Sequence, residues 1–217
     1  MGALTQRVPK SMLVVAEKPI LEWKLEALPD SIDEVVIVVG YLGEVIREKF
    51  GNSYEGKKVT YVTQVNPVGG TMDALLAARA LLHDTFLVMN GDDIHVKEDL
   101  VKCVLHEWAL AVCESDDVRS ASSVQIHEGE ITDIVEADRH GGGAGLAGVG
   151  VYVLDGRVFD VEPVVLQGRS ETGLPQTMLA ASRKFGIPIS AVSVGFPLHF
   201  TTPDDLQRAE MMLRGKK

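Results

Sequence analysis

Cysteine, positive charge and long apolar runs are all scarce in this 217-residue sequence, and each scarcity removes a class of function. The two cysteines, Cys103 and Cys113, stand ten apart with no CxxC pairing and no histidine at ligand spacing. Neither a disulfide framework nor a zinc site is therefore suggested, and two reduced, buried thiols in a reducing cytoplasm are expected. Lysine and arginine number 21 against 31 aspartates and glutamates, for a net charge of −10. A surface for nucleic acid normally has the opposite balance, so none is expected as a partner, although a small basic pocket for a phosphate remains compatible. Apolar runs such as Met12 to Ala16 and Val35 to Val39 are far short of the roughly 20 residues that a membrane helix needs. No membrane span and no signal peptide is expected, and Gln6 occupies the Ser/Thr position of a myristoylation site. Several catalytic signatures are also missing. There is no G-x-x-x-x-G-K-S/T phosphate loop, no HExxH or HxxxH pair and no G-x-S-x-G elbow.

What is present is the composition of a folded globule. Hydrophobic residues make up 46% and charged residues 24%, far from the range in which chains stay disordered. The length and the lack of a dividing linker suggest one domain over residues 1–217. Strand-like apolar bursts alternate with helical periodicity through the first two-thirds, as in a helix-covered parallel sheet. Pro19 stands where a first-turn proline belongs, with Ile20, Leu21, Trp23, Leu25 and Leu28 following at helical spacing. Strands are expected at 34–39, 58–63 and 85–89, with helices at about 42–50, 72–82 and 97–108. Shorter alternating strands follow at 122–127, 131–136 and 148–154, then a helix at 174–185, a strand at 189–194 and a last helix at 203–213.

Four segments could carry chemistry. Gly143 to Gly148 match GxGxxG, but the match precedes a strand, whereas a dinucleotide fingerprint follows a strand and opens a helix, so a flexible loop is expected. Lys10 sits in a proline-fixed loop and reads alone as a solvated lysine. Gln64 to Thr71 join a strand end to a helix start through glycines; free N–H groups and the helix dipole there suit an anion or a base carbonyl, and a plain connection fits equally. Asn90-Gly91-Asp92 places a carboxylate after a buried strand, where open α/β sheets bind ligands, although such an aspartate is often only a helix cap.

In this order and spacing the segments resemble the sugar-1-phosphate nucleotidyltransferases, also called nucleoside-diphosphate-sugar pyrophosphorylases. The residues that carry the resemblance are Leu4-Thr5, Pro9-Lys10, Lys18-Pro19-Ile20-Leu21, Val39-Gly40-Tyr41, Gln64 with Pro67 and Gly69, and Gly91-Asp92. Ile134-Val135-Glu136, Gly150-Val151-Tyr152 and Thr202-Pro203-Asp204-Asp205-Leu206 extend it across the chain. The resemblance implies a Rossmann-like α/β fold with a mixed, mainly parallel sheet flanked by helices. It also implies transfer of a nucleotidyl group from a nucleoside triphosphate, UTP or dTTP favoured, to a sugar 1-phosphate, with Mg²⁺ as cofactor. Carried over by residue, Lys10 contacts phosphate, Asp92 holds the metal, Gln64 and Gly69 meet the base, and Glu136 and Gly150 meet the sugar hydroxyls. A homo-oligomer is left open. A non-catalytic nucleotide or nucleotide-sugar binding subunit is the alternative, because the chain departs from the family's pattern. The expected sugar-phosphate lysine is Ala137, the expected second metal aspartate is His199, Gly70-Thr71 displaces the family's G-T by one residue, and the first strand with its glycine-rich loop would precede Leu4.

Overall fold

The computed structural model describes residues 8–66, 68–118, 122–136, 141–195, 197–200 and 203–214. In chain order the elements are β1 (Val14–Val15), β2 (Lys18–Pro19), α1 (Ile20–Glu26), β3 (Glu34–Val39), α2 (Gly43–Phe50), β4 (Ser53–Tyr54), β5 (Lys57–Thr63), α3 (Gly70–Ala78), β6 (Thr85–Met89), β7 (Asp93–Ile94) and α4 (Lys97–Cys103). They continue with β8 (Ala109–Ser115), β9 (Ser123–His127), β10 (Glu130–Val135), β11 (Gly145–Asp155), α5 (Leu174–Phe185), β12 (Ser190–Ser193), β13 (Leu198–His199) and α6 (Pro203–Arg214). The chain forms two compact units. One is drawn from Met1–Val65, Asn90–Leu100 and Pro197–Lys217, the other from Asn66–Met89 and Val101–Phe196.

In the first unit, β3 and β5 pair in parallel, as a helix-linked pair of β-branched strands should, and β4 adds an antiparallel edge. The two-residue strands β1 with β2, and β7 with β13, form antiparallel ladders. Leu13, Val15, Ile20, Ile94, Phe200 and Ala209 close a core whose largest member, Phe200, is fully buried. Helix α1 buries Ile20, Leu21, Lys24 and Leu25, so a lysine sits within its apolar face.

The second unit is built on a six-stranded sheet in the order β6-β11-β8-β12-β10-β9. Strands β8 and β12 are parallel there, while β11 runs antiparallel to both β6 and β8. The mixed α/β class is the expected one, with fewer parallel pairings than the alternation implies. Trp108, Leu110, Leu154, Leu174, Met178 and Ile189 are among the side chains packed into this unit's core. Each such side chain is worth about 1.5–3 kcal/mol when fully buried. Helix α5 has proline in its first turn and stops at Gly186, whose φ of 66° is left-handed.

Two local expectations need correction. The helix expected to reach Trp108 ends at Cys103, and Ala109–Ser115 forms β8, which the sequence had not suggested. Its run Ala-Leu-Ala-Val-Cys has little β-branching, but its first five residues are buried, and flanking strands on both sides impose the extended form that local propensity does not. The GxGxxG segment is not a loop throughout: Gly145 to Gly148 open β11.

Candidate active site

In the first unit, Pro9 leads into a single 3₁₀ turn, Lys10–Met12, that presents Lys10. Its Nζ donates to Asp92 Oδ2 at 2.7 Å, with the two side chains 32% and 45% exposed. Two residues that the sequence marked independently, 82 positions apart, therefore meet. The backbone carbonyl of Asp92 accepts from the Phe200 N–H at 3.2 Å. Gln64 lies half-buried just after β5, with its N–H on the Val39 carbonyl at 2.8 Å. His199, at the position where the family's pattern has aspartate, pairs with Asp93 across β13 and β7 and is exposed.

Beside Asp92, Asp93 is 0% exposed. Lys24 Nζ donates to Asp93 Oδ1 at 2.5 Å and to its carbonyl at 2.9 Å, and His95 Nε2 stands 3.3 Å from Oδ2. Burial pushes the Asp93 carboxyl up, but the Lys24 charge, together with His95, more than reverses that and holds it below its ordinary value. Sequence reasoning passed over Lys24. The available signal was a lysine between Leu21 and Leu25 on the face that α1 buries.

In the second unit, Glu136 follows β10 at the floor of a shallow hollow also lined by Ile134, Leu166, Arg169 and Gln176. Glu136 Oε1 accepts from Gln176 Nε2 at 2.5 Å and from Ser122 Oγ at 3.1 Å, which fixes the carboxylate's direction. A Cβ at Gly173 would come within 2.0 Å of Gln176 Oε1, so glycine there makes room for the amide. Ser122, Gln176 and Arg169 carry no sequence motif, and only the fold brings them to Glu136.

Gly69 caps α3 and is tied into its own unit: its N–H reaches the Asn66 carbonyl, and its carbonyl accepts from the N–H and Oγ1 of Thr172 at 2.8 and 2.9 Å. Gly70 follows with φ +87°, and a Cβ there would lie 2.5 Å from the Thr172 carbonyl oxygen. Thr71 Oγ1 accepts from the Leu174 N–H at 2.9 Å. The displaced Gly-Thr is thus a tether between the start of α3 and the start of α5. Gly150 lies within β11 at φ +72°, where the register against β8 shifts between Gly148 and Tyr152. That bulge requires glycine. The structure joins Lys10 to Asp92 and places Gly150 and Glu136 in the other unit, and Ala137 and Pro67 lie outside the described residues.

A family model, the MobA-like NTP transferase domain, matches residues 1–191. The chain belongs to that family. Among relatives, it is 31% identical over 173 residues to the bifunctional protein GlmU of Methanocaldococcus jannaschii, covering 79% of this chain and 41% of that protein. The chain therefore spans less than half the length of that relative. It is 29% identical over 222 residues to the UTP–glucose-1-phosphate uridylyltransferase AglF of Haloferax volcanii, covering 97% of this chain and 90% of AglF. A UDP-glucose pyrophosphorylase solved with UDP-glucose superposes with a TM-score of 0.78 at 20% identity, covering 97% of this chain and 92% of that one, and so shares the fold of the MobA-like domain. Among the described residues, no helix is long and apolar enough to cross a membrane.

Proposed function

We propose that this protein transfers a nucleotidyl group from a nucleoside triphosphate, UTP or dTTP first, to a sugar 1-phosphate, releasing pyrophosphate. The observation that carries the reading is the 2.7 Å contact between Lys10 and Asp92 in a chain of the MobA-like family. AglF, similar along nearly its whole length, is named for this reaction with UTP and glucose 1-phosphate.

In the proposed reaction a sugar-phosphate oxygen attacks the α-phosphorus, and the bond from that phosphorus to the pyrophosphate oxygen breaks. Such chemistry is catalysed by placing charge, with little covalent work for the protein. Lys10 supplies a cation beside the triphosphate. Chemistry of this kind uses a divalent metal, and Mg²⁺ is the ion proposed. The donor set fits: Asp92 is a half-exposed carboxylate whose Oδ2 already holds a cationic group. Mg²⁺ commonly takes only one or two protein carboxylates, with phosphate oxygens and water completing the shell. When bound, the ion would neutralise charge on the phosphates. His199 offers imidazole, a poor ligand for so hard an ion, so Asp92 carries this role alone among the residues named here.

Glu136, held by Gln176 and Ser122, is proposed to accept hydrogen bonds from sugar hydroxyls, and the Arg169 guanidinium lining the same hollow suits the sugar phosphate. Gln64 and Gly69 are proposed to meet the base, and Gly150 the sugar. The chain crosses between the units four times, after residues 65, 89, 100 and 196, and this interleaving supports residues 1–217 working as one domain. A cytoplasmic setting, where nucleoside triphosphates are made, belongs to the same proposal.

The test is pyrophosphate release across a matrix of triphosphates and sugar 1-phosphates. The unaltered chain is expected to release it with at least one pair. Asp92→Asn is expected to lower kcat/KM by about 10²–10³. Silence of the unaltered chain across the whole matrix would overturn the reading.

A further inference from the structure

Asp92 and Asp93 are consecutive, and the fold treats them in opposite ways. Asp92 is half-exposed and meets Lys10, whereas Asp93 is wholly buried and meets Lys24, itself 5% exposed. A buried ion pair is poor evidence for stability. Taking both charges out of water costs about as much as their attraction returns, and apolar residues of the same volume often hold a fold as well or better. What Lys24 supplies that an apolar side chain cannot is a grip on direction. Its single ammonium binds both the carboxylate and the carbonyl of Asp93. The preceding peptide is held as well, because the Asp92 carbonyl accepts from the Phe200 N–H. The peptide groups on both sides of the Asp93 α-carbon are therefore fixed, and Asp92 projects from that fixed backbone. Lys24 reaches the turn from the buried face of α1, so its ammonium cannot be exchanged for a solvated one.

We propose that Lys24 is a positioning residue for the divalent-cation site: acting through Asp93, it fixes the backbone from which Asp92 offers its carboxylate. This rests on the reading above that Asp92 takes the cation. Residues that orient a metal ligand without touching the ion typically change metal affinity about 10- to 100-fold when replaced.

The experiment is a titration of the full chain with Mn²⁺ in the presence of UTP, followed by the electron paramagnetic resonance signal of free Mn²⁺, with thermal unfolding recorded on the same samples. Lys24→Met alone would strand a buried carboxylate, so the informative variant is the double Lys24→Met, Asp93→Leu, which removes both charges at similar volume. It is expected to unfold at or above the temperature of the unaltered chain and to bind Mn²⁺ about tenfold more weakly or worse. Should it fail to fold, the neutral polar pair Lys24→Gln, Asp93→Asn is expected to show the same loss. A folded double variant that binds Mn²⁺ as tightly as the unaltered chain overturns this inference and leaves the role of Asp92 standing. No Mn²⁺ binding by the unaltered chain with UTP overturns both.

Discussion

Glu136 shows how a single carboxylate is prepared for a ligand. One of its oxygens is occupied by two donors, Gln176 and Ser122, while Oε2 makes no hydrogen bond among the described contacts. Replacing it with glutamine keeps the volume but turns one of its two acceptors into a donor that competes with Gln176. Glu136→Gln is expected to raise KM for the sugar 1-phosphate about 10- to 100-fold, as for loss of a charged hydrogen bond, while KM for the nucleotide stays within about twofold. Steady-state kinetics with each substrate varied in turn checks this, and an equal rise in both constants would show that Glu136 does not meet the sugar. Lys10, Asp92 and Glu136 were legible in the sequence because each belongs to an ordered motif. Lys24, Ser122 and Gln176 were not. Their importance lies in what they touch 69, 14 and 40 residues away; Lys24 alone had a local signal, its place between Leu21 and Leu25 on the buried face of α1, while Ser122 and Gln176 had none.

Among the elements, strands with uniform β-branching and helices with clean periodicity were readable: β3, β5, β6 and α5 fall within a residue or so of their expected limits. Strand β8 was hidden because its alanines and cysteine prefer no extended form, and only neighbours on both sides make it a strand. The junction of α3 with the segment before α5 was hidden for a related reason. Its key residue, Gly70, combines a left-handed φ with a carbonyl oxygen 2.5 Å from where a Cβ would stand. A left-handed residue without glycine costs about 1–3 kcal/mol, and the clash adds to it. Gly70→Ala is therefore expected to lower stability by at least about 1–3 kcal/mol in urea unfolding. Gly186→Ala is the control, since its φ of 66° and ψ of 32° are left-handed with open space around it, and it should cost less. Equal losses at the two positions would remove the contact with Thr172 as a cause.

At the scale of the whole molecule, one source of acid sensitivity is a knot in the second unit. Arg157 grips the Asp155 carboxylate with Nε and Nη2 at 2.5–3.1 Å, and Trp108 Nε1 donates to the same carboxylate at 3.1 Å. Led by the Arg157 hydrogen bonds, these contacts hold the Asp155 carboxyl down at about 2, against an ordinary 3.8. Because the folded value is the lower one, this stabilisation is fully present above the ordinary value and is lost as pH falls through about 2. Arg157 is 40% exposed, so solvent screening weakens this contribution. Arg157→Ala is expected to flatten the fall in urea stability between about pH 4 and pH 2 and to lower stability at neutral pH. An unchanged pH profile would exclude the knot as a source of acid sensitivity.

Phe200 has a consequence for the order of events during synthesis. It is fully buried against Leu13 and Ile20, in the unit that carries Lys10 and Asp92, and β13 beside it completes the ladder with β7. The other unit takes nothing beyond residue 196. A chain made from its amino end therefore brings out every strand of the sheet that supports Glu136 before the partner of β7, and domains generally fold as units during synthesis. The loop that presents Lys10 is translated long before β13, yet the proposed cation site must wait for that later strand before its aspartate is set in place.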